Sequence, residues 1–329
     1  MTGKAETQKK NFAQSLTGEI NEESVFENAE FESAAKLNAE NPVRAEFGLR
    51  LSAAMREFGP LCIGIDPHPY ILKQWGYTCD AEGAELYSMR MIQASIGKVA
   101  AVKFQMPMYE CYGSKGFEVL ERTLYSARSN NLITIVDCMR GGFVSTLPSV
   151  SDTYLKNDSP LCADAITLTP FCGMSSLRGV IDVAMNNGRG VFIASITSNP
   201  DGINIQGAVC QQGEYAGHTV ASGIVKAVQK LNEGLESMGS VGLVMGATVG
   251  KWIKNSDVDT SVFTGPVLSA GYGWQGATAQ DLRDIFTGIY DRVLVTVSRS
   301  VTAHGPDINK LSDAICATRD EVVSVMHEA

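Results

Sequence analysis

The fold is first indicated by the stretch Leu61-Cys-Ile-Gly-Ile-Asp66, in which apolar residues and one glycine run without interruption into a carboxylate. Such a run is typical of a strand in a parallel sheet that is covered on both faces. Seven further runs of this kind follow along the chain: Ala100–Gln105, Leu132–Met139, Ala165–Pro170, Gly190–Ser195, Val241–Ala247, Pro266–Ala270 and Arg292–Ser298. Amphipathic stretches such as Gly116–Ser129 and Ala221–Met238 lie between them and indicate helices.

Eight strand–helix repeats within about 280 residues predict an α/β protein with a (β/α)8 (TIM) barrel. We expect this barrel to form a single domain over residues 45–329. A doubly wound open sheet is the alternative. A G-x-G-x-x-G motif after the first strand would favour that sheet, and the sequence has none at that position.

The composition excludes several classes of protein. The chain has 36 acidic and 27 basic residues and a net charge of −9, which makes it a poor general binder of nucleic acid. It contains no uninterrupted apolar stretch near 18 residues and no secretory signal, so we expect a cytoplasmic protein without a membrane partner. None of the eight cysteines forms a C-x-x-C pair, which is consistent with reduced thiols.

Residues 1–44 differ from the rest of the chain. They carry eight Glu and five Lys or Arg but few large apolar residues. This composition predicts a flexible or loosely helical N-terminal extension. The alternative is a docking helix around Glu22–Leu37.

The chemistry of such barrels lies at the carboxyl ends of the strands, and polar residues follow every predicted strand of this chain. Polar groups at the ends of apolar strands are costly unless they are used or paired, so their number predicts a binding site. They are Asp66, His68, Lys103, Gln105, Asp137, Arg140, Thr169, Thr197, Ser198, Asn199, Thr248, the loop 271–276, Ser298 and Arg299.

A glycine-rich loop, Gly271-Tyr-Gly-Trp-Gln-Gly276, follows the seventh strand. Its glycines would let the backbone approach a ligand closely, and its N–H groups could surround a phosphate. Arg299, after the eighth strand, could bind the same phosphate in a bidentate manner. Because loops after strands seven and eight form the usual phosphate site of these barrels, we predict one here; a plain turn is the alternative.

Lys103 and Asp137 end neighbouring strands and are the candidate acid and base. A structural ion pair is the alternative. If Asp137 and Met139 face the barrel interior, Cys138 faces the helices and is inert. The four histidines show no metal-ligand spacing, so we expect no metal site, and the absence of a G-x-S-x-G motif argues against serine hydrolase chemistry.

Taken together, these motifs resemble orotidine 5′-monophosphate decarboxylase, in the longer form found in actinobacteria. The resemblance runs in order from about Phe47 to about Ala317. Its segments are Cys62–Pro69, Val102–Gln105, Asp137–Gly141, Thr197–Pro200, Gly246–Thr248, Gly271–Gly276 and Ser298–Arg299. The resemblance implies a barrel that needs no cofactor, forms a homodimer across the barrel mouths and binds a pyrimidine nucleoside 5′-monophosphate.

The resemblance also implies roles for individual residues. Asp66 and Lys103 would hold the ribose hydroxyls, and Ser198 would meet the amide edge of the pyrimidine. Gln275 and Arg299 would bind the 5′-phosphate. The remaining residues of the implied site include Thr146, which would touch the ribose of the partner subunit, and Met139, Thr197, Asn199, Gly271, Gly273, Trp274, Gly276 and Ser298.

The sequence departs from the family at the end of strand three. The family signature there is Asp-x-Lys-Arg-Gly-Asp, whereas this chain has Asp137-Cys-Met139-Arg-Gly-Gly142. In the family, the lysine protonates the carbanion that is left by CO2 loss, and the second aspartate crosses the dimer interface. A thioether cannot donate a proton, so loss of the lysine predicts a rate penalty of about 10²–10⁴-fold.

Bulky residues also enter the mouth elsewhere, because Phe104 and Trp274 stand where the family has Pro and Ala. We expect an enzyme repurposed for another reaction on a nucleotide or phosphoribosyl compound, in specialised nucleoside metabolism, with Lys103 and Asp137 as its acid and base. One alternative is a catalytically silent nucleotide-binding regulator or partner of an active paralogue. The other is a decarboxylase with residual activity.

Overall fold

A computed structural model of the chain describes residues 46–235 and 237–327. Eight strands close into one parallel barrel in the order β1 to β8. They are β1 (Leu61–Ile65), β2 (Ala101–Gln105), β3 (Ile133–Arg140), β4 (Ala165–Leu168), β5 (Gly190–Ile196), β6 (Val241–Gly246), β7 (Val267–Ala270) and β8 (Val293–Val297). Each lies within one of the eight predicted runs or overlaps it, so the predicted (β/α)8 barrel is confirmed.

Helices surround the barrel and connect successive strands. They are α1 (Phe47–Phe58), α2 (Pro69–Gln74), α3 (Ala81–Ser95), α4 (Pro107–Glu110), α5 (Ser114–Ser129), α6 (Leu147–Tyr154), α7 (Arg178–Asn186), α8 (Ile203–Gln206), α9 (Val220–Leu231), α10 (Gly250–Ile253), α11 (Ala279–Ile285), α12 (Arg299–Thr302) and α13 (Ile308–His327). None of the helices in the described ranges is long and apolar enough to cross a membrane. The predicted N-terminal extension, residues 1–44, lies outside the described residues.

One predicted helix is shorter than expected. The amphipathic pattern covers Ala221–Met238, but helix α9 ends at Leu231. Asn232 follows it in a non-helical conformation. The Asn232 amide donates to the carbonyl of Val241 on β6 at 2.7 Å. This bond ties the end of the helix to the next strand, and Gly234 then reverses the chain with φ of 80°.

Side chains alternate between two cores. Ile63, Ile65, Val102 and Phe104 pack outward against the helices, whereas their neighbours along the strand point into the barrel. The prediction that Phe104 enters the mouth is therefore wrong, because the alternation along β2 directs its ring towards Tyr109 in the outer core. Helix α1 closes the amino end of the barrel, where Phe47 meets Phe192 edge-on at 5.9 Å between ring centroids. The inner core consists of Phe47, Leu51, Met55, Cys62, Ala100, Ala101, Ile133, Ile135, Ala165, Phe192, Met238, Leu268 and Leu294. With its amino end filled by apolar side chains, the barrel leaves its carboxyl end for polar groups.

Candidate functional site

The carboxyl end of the barrel brings a cation and two carboxylates together. Lys103, on β2, is 5% exposed. Its Nζ lies 2.9 Å from Oδ2 of Asp137 on β3 and 3.8 Å from Oδ1 of Asp66, which follows β1. It also donates to Oε1 of Gln105 at 2.9 Å. Lys103 and Asp137 are therefore close together, as predicted, and Asp66 lies beside them.

The pair holds both of its members in the charged form. Burial would lower the pKa of Lys103, but the Asp137 and Asp66 carboxylates outweigh burial and raise that pKa above its ordinary value. Burial would likewise raise the pKa of Asp137, but Lys103 and a hydrogen bond from Thr167 hold it below its usual range. Lys103 is thus a reluctant proton donor, and Asp137 is a weak base while the pair is intact.

Asp66 reaches this cluster because Gly64 leaves room for it. A Cβ at Gly64 would lie 2.9 Å from both Oδ2 of Asp66 and Cβ of Ser298, on the neighbouring β8 side. Oδ1 of Asp66 is buried and has no hydrogen-bond partner. A buried acceptor without a donor is costly, so this oxygen is a candidate contact for a ligand hydroxyl or N–H group.

The end of β3 has an irregular backbone. The pairing of β3 with β4 shifts register between Val136 and Arg140, and Met139 adopts a φ of 43°. Its side chain is 37% exposed. Thr167 on β4 supports this bend, since its hydroxyl donates to Oδ1 of Asp137 at 2.7 Å and accepts from the Met139 N–H at 2.9 Å.

Sequence reasoning missed Thr167, although it alternates with Ala165 and Thr169 and so had a period-two signal for an inward position. The interpretation of Cys138 is consistent with the structure: its side chain lies in the outer core, and burial raises the pKa of its thiol to about 12. Cys138 is therefore not a reactive thiolate.

The loop after β3 contains Thr146. Thr146 is exposed, and its hydroxyl donates to the carbonyl of Phe143 at 3.1 Å within the same loop. Gly142 has φ of 149°, a conformation that an aspartate would adopt only with strain. Arg140 is paired with Glu110. This loop thus contributes exposed apolar residues, rather than a further charge, next to the site.

Polar groups after β5 are positioned by their neighbours. Gln206, on α8, accepts from the Thr197 N–H at 3.0 Å and donates to its hydroxyl at 3.0 Å. Asn199 donates to the same hydroxyl at 3.3 Å. Ser198 lies against Gly246 at the end of β6, where a Cβ would come within 2.9 Å of its nitrogen. Gln206 gave no signal in the sequence, because it lies on a short helix beyond the strand.

The loops after β7 and β8 meet at the mouth. The Arg299 guanidinium lies 5.3 Å from the ring centroid of Trp274, so the predicted neighbours of the phosphate are in contact. Gln275 folds over Gly271, where an added Cβ would lie 3.1 Å from the Gln275 Oε1. The N–H groups of Gly273 and Gly276 donate within the loop, to Ala277 and Gly273. These two amides are engaged within the loop, which leaves the side chains of Arg299 and Gln275 as candidate donors to a ligand.

His68 follows Asp66 by two residues, at the start of helix α2. Burial and the positive charge of Arg299 lower its pKa, while Asp66 opposes them. Its ring also contacts Tyr70 at 5.2 Å between centroids. A neutral imidazole here can donate or accept one hydrogen bond near the mouth. Within the described ranges, no group of three His, Cys, Asp or Glu side chains could hold a metal ion.

Comparison with known proteins agrees with this geometry. The family model described as orotidine 5′-phosphate decarboxylase / HUMPS family matches residues 59–314. A protein from Salinispora arenicola named orotidine 5′-phosphate decarboxylase is 40% identical over 268 residues, covering 82% of this chain and 94% of that protein. A crystal structure from Streptomyces avermitilis, of a candidate orotidine 5′-phosphate decarboxylase, is 37% identical with a TM-score of 0.81, covering 87% of this chain and 98% of that one.

A more distant structure shows the fold alone. The orotidine 5′-monophosphate decarboxylase of Methanocaldococcus jannaschii, solved in complex with the inhibitor BMP, has 17% identity and a TM-score of 0.54, covering 80% of this chain and 98% of that one. The family model spans most of the chain, and the relative from Salinispora matches 82% of it at 40% identity. This protein belongs to the orotidine 5′-phosphate decarboxylase / HUMPS family.

Proposed function

We propose that the protein binds a pyrimidine nucleoside 5′-monophosphate, or a related phosphoribosyl compound, at the barrel mouth and catalyses a reaction other than orotidylate decarboxylation. The observation that carries this proposal is Met139. It stands partly exposed at the end of β3 beside the intact Lys103–Asp137 pair, at the position where the resemblance places the catalytic lysine. A thioether there supplies neither a proton nor a charge.

Two groups of residues at the mouth indicate how the nucleotide would lie. Arg299 and Gln275 would bind the 5′-phosphate beside Trp274, since a guanidinium matches phosphate oxygens well. Asp66 and Lys103, joined through their contacts near the barrel axis, would take the ribose hydroxyls. Ser198, between β5 and β6, would face the base. Thr197, Asn199, Ser298 and the glycines 271, 273 and 276 would complete the walls.

The chemistry that this pair supports follows from its charges. Because the pKa of Lys103 is raised, Lys103 gives up a proton only to a strongly basic centre, such as a carbanion on the base ring. The Asp137 carboxylate would stabilise a developing positive charge or hold a water molecule. Reactions with anionic character at the pyrimidine, or a base-assisted addition, elimination or hydrolysis, suit these two groups. Such a reaction fits specialised nucleoside metabolism.

We also propose a homodimer across the barrel mouths. Phe143 and Phe171 are 76% and 81% exposed on the loops after β3 and β4. These loops lie side by side, because the Thr169 N–H donates to the carbonyl of Arg140 at 2.8 Å. An apolar patch beside Thr146 consists of Phe143, Val144 and Phe171. Exposed apolar patches are typical of association surfaces. A partner seated here would bring its own Thr146 close to the neighbouring site.

Two alternatives have some support. Lys103 is so fully paired with Asp137 and Gln105 that the cluster could serve only as structure, and the protein would then be a silent nucleotide binder or the partner of an active paralogue. Residual orotidylate decarboxylation is the other alternative. A decarboxylation assay at ordinary enzyme concentration separates it from our proposal, which predicts no UMP formation above background.

The first experiment is a thermal-shift panel with UMP, orotidine 5′-monophosphate, BMP and ribose 5-phosphate. A ligand that binds the native state raises the melting temperature by mass action. We expect a shift with UMP that is lost in Arg299→Met, which removes the guanidinium but keeps an extended side chain. Arg178→Met, on the outer helix α7, is the matched control and should keep the shift. Absence of any shift with the wild-type protein contradicts nucleotide binding.

Turnover is tested next, on nucleotides that give a shift. Lys103→Ala and Asp137→Ala should each lower turnover by about 10²–10⁴-fold. Full turnover in both variants would remove them from the mechanism. If no nucleotide is turned over, the silent binder is correct. The double variant Met139→Lys with Gly142→Asp asks whether decarboxylation can be restored, although the φ of 149° at Gly142 makes the second change strained.

A further inference from the structure

Arg299 is held by an aromatic ring, whereas neighbouring cations of the mouth are held by carboxylates. Lys103 and Arg140 each form an ion pair. In the part of the chain that the structure describes, the half-buried Arg299 guanidinium makes no ion pair or hydrogen bond. Its side-chain contact is the ring of Trp274, whose centroid lies 5.3 Å from the guanidinium carbon. The N–H donors of Arg299 therefore remain available to a ligand.

The loop after β7 brings the tryptophan to this position. Tyr272 is buried in the outer core, whereas Trp274, two residues further on, is 60% exposed. Gly273 lies between them with φ of 71°, and a Cβ there would lie 3.8 Å from the side chain of Ser300. The loop is thus anchored on one side by Tyr272 and lies against the start of helix α12, which contains Arg299.

Contact with an indole ring orients an arginine without neutralising it. A cation over the ring is attracted to the negative face of the ring, and the indole offers no acceptor atom that would occupy the guanidinium N–H groups. Phosphate recognition by a guanidinium depends on the orientation of its planar N–H edge. Rotamer freedom that is already restricted in the free protein is not lost again on binding. An arginine that is oriented beforehand therefore binds phosphate more tightly than a mobile one.

We infer that Trp274 is a positioning residue, whose ring holds the Arg299 guanidinium in place for the phosphate group of the ligand. The amides of Gly273 and Gly276 are bonded within the loop, so recognition of the phosphate at this edge depends on side chains. The inference rests on the proposed function and deepens it, because it makes phosphate affinity depend on an aromatic ring that does not itself bind the phosphate.

Isothermal titration calorimetry with UMP and with ribose 5-phosphate tests the inference. Trp274→Leu keeps an apolar side chain but removes the aromatic face, and it should weaken the binding of both ligands by the same factor, about three- to tenfold. Trp274→Phe keeps an aromatic face and should restore most of the wild-type affinity. Phe117→Leu makes the corresponding change at an exposed aromatic residue on the outer helix α5 and should leave both affinities unchanged.

The outcomes separate this inference from the proposal beneath it. If UMP binds to the wild type and binds equally well or better to Trp274→Leu, the inference is wrong and the proposed function stands. Equal losses in Trp274→Leu and Trp274→Phe overturn it as well, because the size of the side chain would then matter rather than its aromatic face. A loss for UMP but not for ribose 5-phosphate would show that Trp274 acts on the base. If neither ligand binds to the wild type, the proposed function fails and the inference fails with it.

Discussion

Lys103 illustrates how a buried charge is kept in a barrel that is otherwise apolar inside. Its ammonium group is surrounded by acceptors from β2, β3 and the loop after β1. Removing one partner from such a cluster leaves another charge buried without compensation, which costs far more than an exposed ion pair. The stability of the fold and the proposed chemistry of the site therefore involve the same residues.

The first prediction concerns the pH dependence of this pair. The folded-state pKa of Asp137 is lowered from 3.8, so its contribution to stability is present above about pH 4 and is lost as pH falls through the folded-state value. Asp137→Asn should lower the free energy of unfolding at pH 7 by about 1.5–3 kcal/mol. The difference from the wild type should narrow below about pH 4, as measured by urea denaturation across the acid and neutral range.

Asp182→Asn is the control for that series, because Asp182 forms an exposed i,i+4 pair with Arg178. Exposed helix pairs contribute about 0.3–0.5 kcal/mol, so its effect should be small at every pH. A deficit for Asp137→Asn that stays constant to the acid end of the series would show that the charge of Asp137 does not stabilise the fold.

The second prediction concerns the strained backbone at Met139. A φ of 43° is unfavourable for a residue with a Cβ and ordinary for glycine. Met139→Gly should therefore leave the free energy of unfolding unchanged or raise it by up to about 1 kcal/mol. Met185→Gly, in the ordinary helical conformation of α7, should lower it by about 1 kcal/mol. Chemical denaturation of both variants makes the comparison, and a comparable loss in both would contradict the strain.

At the scale of elements, the two ends of the barrel perform different tasks. The carboxyl ends of the strands lead into loops that present polar side chains, while helix α1 closes the amino end. Phe47 is fully buried, and Gly190 at the start of β5 makes room for its ring, since a Cβ there would lie 2.2 Å from it. The aromatic contact between α1 and β5 thus closes the barrel on the side opposite the site.

The third prediction tests this closure. Phe47→Ala removes a buried ring from the inner core and should lower the free energy of unfolding by about 3–5 kcal/mol. Leu49→Ala removes an exposed side chain from the same helix and should change it by less than about 0.5 kcal/mol. Thermal unfolding and chemical denaturation provide the measurement. Equal effects of the two variants would mean that α1 does not seal the barrel.

At the scale of the whole molecule, the exposed apolar patch of Phe143, Val144 and Phe171 lies on the same end of the barrel as the charged cluster. In isolated form, a patch of this kind is costly to hydrate, and pairing with a second copy would remove it from water. The proposed dimer and the proposed site are therefore coupled, because Thr146 lies in the same loop as Phe143.

The fourth prediction tests the dimer. The double change Phe143→Asp with Phe171→Asp places charges in the patch and should shift the molecular mass by light scattering from that of a dimer to that of a monomer. Val262→Asp introduces a charge at an exposed apolar residue in the loop that precedes β7, towards the amino end, and should keep the dimer. A wild-type protein that is monomeric at tens of micromolar would rule out this interface.

Much of the fold was available from the sequence. The eight apolar runs mark the strands, because strands of a covered parallel barrel bury both faces and must be apolar almost throughout. The same pattern places Asp66, Lys103 and Asp137 at strand ends, where a polar residue interrupts the run. The amphipathic stretch Ala221–Met238 predicted the end of its helix less well. The helix stops where Asn232 bonds to Val241 on β6, a contact that hydrophobic periodicity does not reveal.

Only the tertiary structure decided the geometry of the site. Thr167 supports Asp137 and Met139 from the next strand, and Gln206 holds Thr197 from a short helix, because neighbours across strands depend on register rather than on spacing along the chain. The positive φ at Met139 coincides with the register shift between β3 and β4. The sequence determined the barrel and the residue types at its mouth through burial, whereas long-range packing determined which of those residues meet.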